Sequence, residues 1–134
     1  MLTWNKTITL FNQYADNGVK WHKTVLNGCF YGLSRRAIAN GNAVTYVTET
    51  VVRVPESKDY LEPAAFYALP DKTGYFTLAP GDVIVRGAVD DGIPANKSDR
   101  DILQKYKGQS FRVASAKNNC LPGLRTSHYV GRDM

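Results

Sequence analysis

The sequence predicts a mainly β fold: one small antiparallel β-barrel with one short helix packed at an end. Three observations predict it. Residues 43–54 are dominated by β-branched side chains, which favour strands over helices. Turn-forming residues separate several short apolar segments, and one segment carries helix start and stop signals. A chain of 134 residues has the usual size of one domain, so residues 1–134 are assigned to a single domain. A barrel is preferred to a sandwich because closure hides strand edges.

The first three strands are predicted from period-two patterns. Residues 7–11 and 19–26 form a hairpin around Asp16-Asn17-Gly18, a strong turn signal, and residues 43–54 form the third strand. Between the second and third strands, residues 28–33 continue the pattern briefly. Residues 34–42 then break it with turn formers and two adjacent arginines. A loop is therefore predicted at residues 34–42.

The second half of the chain begins at Pro55, which ends the third strand because proline cannot donate a ladder hydrogen bond. A turn of helix is predicted over residues 64–67, with Pro63 at its start. Two further antiparallel pairs are predicted: residues 75–78 with 83–87 around a Pro-Gly turn, and residues 110–115 with 126–130 around a loop at 117–124.

One longer helix follows residue 98. Ser98 is the predicted N-cap, Asp101 stands three residues later, and Gly108 supplies the stop. Ile102, Leu103 and Tyr106 would give this helix an apolar face that lies on the barrel.

Charge is distributed in three blocks. Residues 1–54 carry six Lys/Arg against two Asp/Glu, residues 55–101 carry five against nine, and residues 102–134 carry six against one. An ordinary solvated surface and complementary faces that stack copies or partners both fit this pattern. No apolar run is long enough to span a membrane, and residues 1–6 lack a signal-peptide pattern, so the chain is expected to stay where it is made.

Catalytic and metal-binding patterns are not recognisable. His22 and His128 each lie in a strand pattern without a nucleophile motif, and Cys29 and Cys120 have no nearby ligand partner. Reduced thiols are favoured for the two cysteines, and a disulfide stays open. The pairs Asp90-Asp91 and Asp99 with Asp101 have structural explanations in a turn and at a helix start. We therefore expect a binding protein with no enzymatic activity, no cofactor and no metal.

A nucleic-acid-binding, OB-like barrel is one alternative. Trp21, Phe30 and Tyr31 could stack on bases while nearby cations contact phosphate. The competing and preferred interpretation is that these rings fill the core. The cations concerned are Lys20, Lys23, Arg35 and Arg36.

The order of several segments resembles small neck proteins of tailed bacteriophages of Gram-positive hosts, the head-completion or stopper proteins. The resemblance covers the chain from Trp21-His22-Lys23 to Gly131. It depends on the order and spacing of the segment from Gly74 to Gly87, the helix ending Tyr106-Lys107-Gly108, residues 111–115 and the terminal residues 127–131.

This resemblance implies a structural virion protein at the head–tail junction, made in the host cytoplasm. It implies a ring of copies beneath the portal or adaptor protein that closes the DNA channel and meets a tail-side protein. A tail-completion protein is the near alternative. The connection between the second and third strands would enter the channel, so Arg35, Arg36, Asn40 and Asn42 are the candidate site residues for non-specific contact with packaged DNA.

Overall fold

A computed structural model describes residues 4–120 and 127–133. In this part of the chain, seven antiparallel strands form a sheet that curls into a half-barrel, with two short helices, which confirms the predicted mainly β class. The strands are β1 (Lys6–Ala15), β2 (Val19–Asn40), β3 (Ala43–Pro55), β4 (Val83–Arg86), β5 (Ser110–Arg112), β6 (Ser115–Asn118) and β7 (His128–Arg132), and the helices are α1 (Pro63–Tyr67) and α2 (Arg100–Lys105). Their order across the sheet is β5-β4-β1-β2-β3-β7-β6.

The hairpin between β1 and β2 forms where the turn signal predicts it. Asn17 and Gly18 both have positive φ, at 51° and 118°, which asparagine and glycine tolerate best. Ala15 pairs with Val19 across the turn, and pairing continues to Ile8 opposite Leu26.

A β-bulge then divides β2 into two halves. From Leu26 to Cys29 β2 advances three residues while β1 advances two, and Gly28 has a φ of 71°. The extra residue reverses which side chains face the core. Trp21 therefore packs on one face of the sheet, whereas Cys29 and Tyr31, also odd-numbered, pack on the other.

The predicted loop at residues 34–42 is wrong. Residues 30–40 of β2 all pair with β3, from Phe30 opposite Arg53 to Asn40 opposite Ala43. Only Gly41 and Asn42 form the turn, and the φ of 66° at Gly41 suits a two-residue hairpin connection. The strand continues because a complementary β-branched strand lies alongside it, and this outweighs the local turn formers.

The predicted pairing of residues 75–78 with β4 is also wrong. β4 lies between β1 and β5 instead. Phe76 exchanges backbone hydrogen bonds with Asp59 and Leu61, and the Thr77 backbone bonds the side-chain amide of Asn12 at 2.7 and 3.3 Å. The segment is extended, but the backbone groups of Phe76 and Thr77 already have hydrogen-bond partners outside β4.

The predicted pairing of residues 110–115 with residues 126–130 is also changed. β5, at the start of the first segment, pairs with β4. β7 pairs instead with β6, which lies partly in the stretch predicted as a loop. Thr126 lies outside the described residues. Between β5 and β6, the Val113 amide donates to the Asp82 carbonyl and the Ala114 amide to the Arg132 carbonyl, both at 2.8 Å. The chain thus crosses from one edge of the curled sheet to the other.

Both helices form near their predicted positions. α1 starts at Pro63 as expected and buries Phe66. α2 begins at Arg100, so its N-cap is Asp99 and not the predicted Ser98, whose hydroxyl accepts a 3.3 Å bond from the Arg100 amide. The Asp99 carboxylate accepts two hydrogen bonds from the Arg112 guanidinium, from Nη2 at 2.6 Å and from Nε at 2.7 Å.

Buried apolar side chains cover both faces of the sheet. The larger cluster fills the concave side and includes Ile8, Leu10, Ile84 and Tyr129. The smaller cluster lies on the other face beneath α2. It contains Phe11, Val83, Val85 and Ile102, with Trp21, Leu103 and Tyr106 at its margin.

Candidate functional site

The distal part of the β2–β3 ribbon extends beyond the rest of the sheet. Pairing of β3 with β7 stops at Val51 opposite Arg132, so residues 33–50 form a two-stranded projection, which we call the arm. From Leu33 to Asn40 the arm spans about 23 Å at the usual rise of a strand. Most of its described side chains are exposed to solvent.

One face of the arm carries exposed apolar side chains. This face continues the concave face of the sheet, where Tyr31 lies opposite Val52. Farther out, Leu33 is 72% exposed, Val44 59% and Tyr46 58%. Large apolar side chains gathered on one exposed face are typical of an interaction surface.

The four predicted site residues all lie on the arm, but they do not share one face. Arg35 is exposed, and its guanidinium carbon lies 4.6 Å from the centre of the Tyr46 ring, a cation–π contact. Arg36 pairs through its backbone with Val47 and, as the next residue of the strand, belongs to the opposite face. Its side chain is outside the described part. Asn40 ends β2 and Asn42 lies in the turn, and both are exposed.

An ion pair between Glu49 and Arg132 holds the base of the arm. Arg132 Nη1 donates to Glu49 Oε1 at 2.6 Å, and the Glu49 side chain is 3% exposed. The other carboxylate oxygen, Oε2, is buried without a hydrogen-bond partner among the described atoms. A shallow pocket lies here, lined by both residues together with Ser34, Arg35 and Ala37. Sequence reasoning missed the pair because its members are 83 positions apart.

A second buried carboxyl group, Asp82, anchors the Pro-Gly turn to β1. It accepts hydrogen bonds from Asn12 Nδ2, the Gln13 amide and the Ala79 amide at 2.8–3.0 Å. Burial raises the pKa of Asp82 to about 6. Asp82 is only 1% exposed, and its hydrogen bonds fix the turn against β1.

The two histidines contact different residues, whereas Cys29 and Cys120 both pack in the larger apolar cluster. His22 Nε2 lies 3.0 Å from the Tyr75 carbonyl oxygen, and burial lowers the pKa of this ring. The His128 ring packs edge-on against Trp4. Cys29 is buried, Cys120 is half-buried, and both are free thiols, which answers the open question of a disulfide.

The aromatic residues of the nucleic-acid alternative do not form one surface. Trp21 packs near α2 and donates from Nε1 to the Lys97 carbonyl at 3.0 Å. Tyr31 lies on the concave face, where its ring is 6.0 Å from Phe111. The Phe30 ring lies beneath the Arg53 guanidinium, at 5.1 Å.

Within residues 4–120 and 127–133, two features are absent. No group of three or more His, Cys, Asp or Glu side chains converges as a metal site. None of the helices described there has the length and apolar character needed to cross a membrane.

Comparison with known proteins gives one family. Neither the curated proteins nor the solved structures include a match to the chain. A family model described as a family of unknown function, DUF6751, matches residues 2–130. Since that match spans nearly the whole sequence, the chain belongs to the DUF6751 family.

Proposed function

We propose that the chain is a structural protein of the neck of a tailed bacteriophage, a head–tail connector of the stopper type. In this proposal it forms a ring under the portal or adaptor, closes the DNA channel and joins head to tail. The observation that carries the proposal is the arm. The arm is the connection between the second and third strands, and the resemblance implies that this connection enters the DNA channel. The arm also carries the adjacent Arg35 and Arg36.

The chemistry of the arm suits contact with packaged DNA. A guanidinium group binds phosphate through paired N–H donors without reading base sequence. The Tyr46 ring beneath Arg35 restricts that side chain and so lowers the entropy lost on binding. Two arginines from each copy would give a ring of copies many phosphate contacts.

Ring assembly needs two different surfaces on each copy, because each copy contacts the next through unlike patches. The basic, acidic and basic blocks of the sequence supply unlike charges for such contacts. In this proposal the remaining partners are the portal or adaptor on one side and a tail-side protein on the other. The working location is the neck of the virion, after synthesis in the host cytoplasm.

Electron microscopy of virions tests the location. Gold-labelled antibody against the chain should bind at the head–tail junction, and disruption of the gene should leave DNA-filled heads that lose their DNA and carry no tail. Absence of the chain from purified particles would refute the proposal. Label retained on tails separated from heads would instead favour a tail-completion protein.

Arg35→Ala combined with Arg36→Ala tests the role of the arm. The double variant should fold and enter particles but leave a larger fraction of empty heads, because channel closure is weakened. Lys97→Ala combined with Lys107→Ala is the matched control, since it removes two exposed positive charges away from the arm. Equal DNA retention in both variants would exclude the arm arginines from closure.

The OB-like alternative predicts a different behaviour. An isolated monomer would bind single-stranded DNA with strong salt dependence, and Ala at Lys20, Lys23, Arg35 and Arg36 would abolish binding. The separation of Trp21 from Tyr31 on opposite faces does not favour this function. Tight binding by a monomer that is absent from particles would establish it.

A further inference from the structure

Both outer edges of the arm are open in the described part of the chain. Pairing of β1 with β2 ends at Lys6 opposite Cys29, and pairing of β7 with β3 ends at Val51. Beyond these positions no described strand lies beside the arm, which is therefore a ribbon of only two strands. Two strands alone are marginally stable in water, and a further strand on either edge would stabilise them.

The direction of the free backbone groups of β3 follows from Thr50, at the base of the arm. The Thr50 amide donates to Asp133 Oδ1 at 2.9 Å, and the Thr50 carbonyl accepts from the Asp133 amide at 3.2 Å. Both groups of Thr50 therefore point away from β2. Since backbone groups alternate between the two edges along a strand, Val44, Tyr46 and Thr48 also point theirs outward.

The same alternation applies to the outer edge of β2. Each β2 residue opposite one of those four belongs to a pair that is not hydrogen-bonded within the arm, so its backbone groups also point outward. These residues are Leu33, Arg35, Ala37 and Ala39. Each copy thus presents a row of backbone N–H and C=O groups on each edge of the arm, and no strand of the described structure pairs with either row.

We propose that the outer edge of β2 in one copy of the chain pairs with the outer edge of β3 in the next copy, so that the arms form one continuous antiparallel sheet. This inference rests on the proposed function, because it names the contact through which the copies would assemble around the channel. When neighbouring arms point the same way, the outgoing β2 of one copy runs antiparallel to the returning β3 of the next.

The two strands have complementary sequences, because they already pair with each other within one copy. That pairing runs from Phe30 opposite Arg53 to Asn40 opposite Ala43. Residues 43–48 contain no charged residue and no proline, which are the usual protection of an exposed strand edge. They are rich in β-branched side chains, which suit a sheet. The β3 edge is therefore well suited to accept another strand.

Pairing between two identical strands is less favourable. Full overlap of β2 with β2 would bring Arg35 and Arg36 of two copies together, and like charges across a strand pair are destabilising. Pairing of β3 with β3 would leave the β2 edge of each copy open. Pairing of β2 with β3 uses both edges of each copy, and a closed ring leaves neither edge unpaired.

The proposed pairing uses backbone groups and leaves both faces of the arm exposed. Arg35 belongs to one face and Arg36 to the other, so each copy keeps an arginine on the face that lines the channel. Assembly through the edges is therefore compatible with contact between the arm and DNA phosphate.

Proline at an outward-pointing position tests the pairing, because it removes a donor from one edge and leaves the hydrogen bonds within the arm in place. Ala37→Pro blocks the β2 edge, and Thr48→Pro blocks the β3 edge. Lys58→Pro is the matched control. Lys58 is exposed and lies away from the arm, at the second position of a turn closed by the Tyr60 amide and the Ser57 carbonyl, where proline is tolerated.

Sedimentation velocity over rising concentrations of the full chain gives the first measurement. The wild type and Lys58→Pro should form species larger than dimers, whereas Ala37→Pro and Thr48→Pro should each stay monomeric. A 1:1 mixture of these two arm variants should form a dimer that grows no further, because it has one compatible pair of intact edges. Circular dichroism and urea unfolding establish that each variant is folded.

Three results would overturn the inference. The first is a wild type that is monomeric at every concentration, and the second is a mixture of the arm variants that stays monomeric. The third is a dimer of one arm variant alone. A dimer of Ala37→Pro would mean that β3 pairs with β3, and a dimer of Thr48→Pro would mean that β2 pairs with β2.

Hydrogen exchange of the wild type gives a second measurement, which needs no variant. On assembly the outward amides of Ala37 and Tyr46 should exchange at least about tenfold more slowly. The amides of Ile38 and Thr45, which are already hydrogen-bonded within the arm, should change less. Outward amides that exchange equally fast before and after assembly contradict the inference.

The two proposals can fail separately. Neck labelling without slower exchange of the outward amides refutes this contact alone. Slower exchange of those amides in a chain that is absent from virions refutes only the proposed function.

Discussion

Replacing Arg132 with Ala removes the partner of a buried carboxylate at the base of the arm. Glu49, whose side chain is 3% exposed in the native chain, would lose its 2.6 Å hydrogen bond from Nη1. Its second oxygen has no partner in the described structure that could compensate. The variant therefore contains a buried, uncompensated negative charge.

The size of the effect follows from burial. Breaking a fully buried ion pair from one side costs about 3–5 kcal/mol. The Arg132 side chain is 35% exposed, so water already screens the pair, and we expect a loss of about 2–3 kcal/mol in the free energy of unfolding. Glu49→Gln should lower the free energy of unfolding by less, about 1 kcal/mol, because water can solvate Arg132 once it has lost its charged partner.

Urea unfolding monitored by tryptophan fluorescence measures these values. The informative comparison is the double variant Glu49→Gln/Arg132→Ala, which has no buried charge and should be more stable than Arg132→Ala alone. Hydrogen exchange provides a local measurement, because amides of the arm should exchange faster in Arg132→Ala while those of β4 should not. A double variant no more stable than Arg132→Ala would refute the reasoning.

Three further predictions follow from single residues. Gly28→Ala should destabilise the fold by about 1–2 kcal/mol in urea unfolding, because φ at this bulge is 71°, where a Cβ is strained. Asp82 holds its proton up to about pH 6 in the folded state but only to about pH 4 when unfolded. The free energy of unfolding should therefore fall between these values as pH rises, by at most about 3 kcal/mol, and Asp82→Asn should remove that slope. Cys29 is fully buried with its pKa raised to about 12, so a thiol reagent should modify Cys120 in the native protein and both cysteines only in urea; two reactive thiols without denaturant would contradict this.

The candidate site could be located from the sequence, but its shape could not. The adjacent Arg35 and Arg36 between two predicted strands mark the connection that becomes the arm. The turn-forming residues around them predict a loop, because a prediction from sequence takes account only of the conformational preferences of neighbouring residues. The strand continues to Asn40 because β3 offers a hydrogen-bonding partner for each residue, a non-local gain.

Two other features depend on polar side chains and cannot be predicted from a local sequence pattern: the position of residues 75–78 and the ion pair at the base of the arm. The Asn12 amide bonds the backbone of Thr77 and so takes the place of a neighbouring strand, which leaves residues 75–78 outside the ladder of β4. Glu49 and Arg132 meet only because β3 pairs with β7. A strand pattern cannot indicate either contact, since each joins residues far apart in the chain.

The sequence by itself determined the mainly β class, the turn at Asn17-Gly18 and the approximate positions of both helices. These depend on φ preferences, side-chain branching and capping, which act within a few residues. The tertiary structure alone decided the bulge at Gly28, the order of the strands and the projection of the arm. Those features depend on which strands pair, and pairing is set by burial and hydrogen bonding summed over the whole sheet.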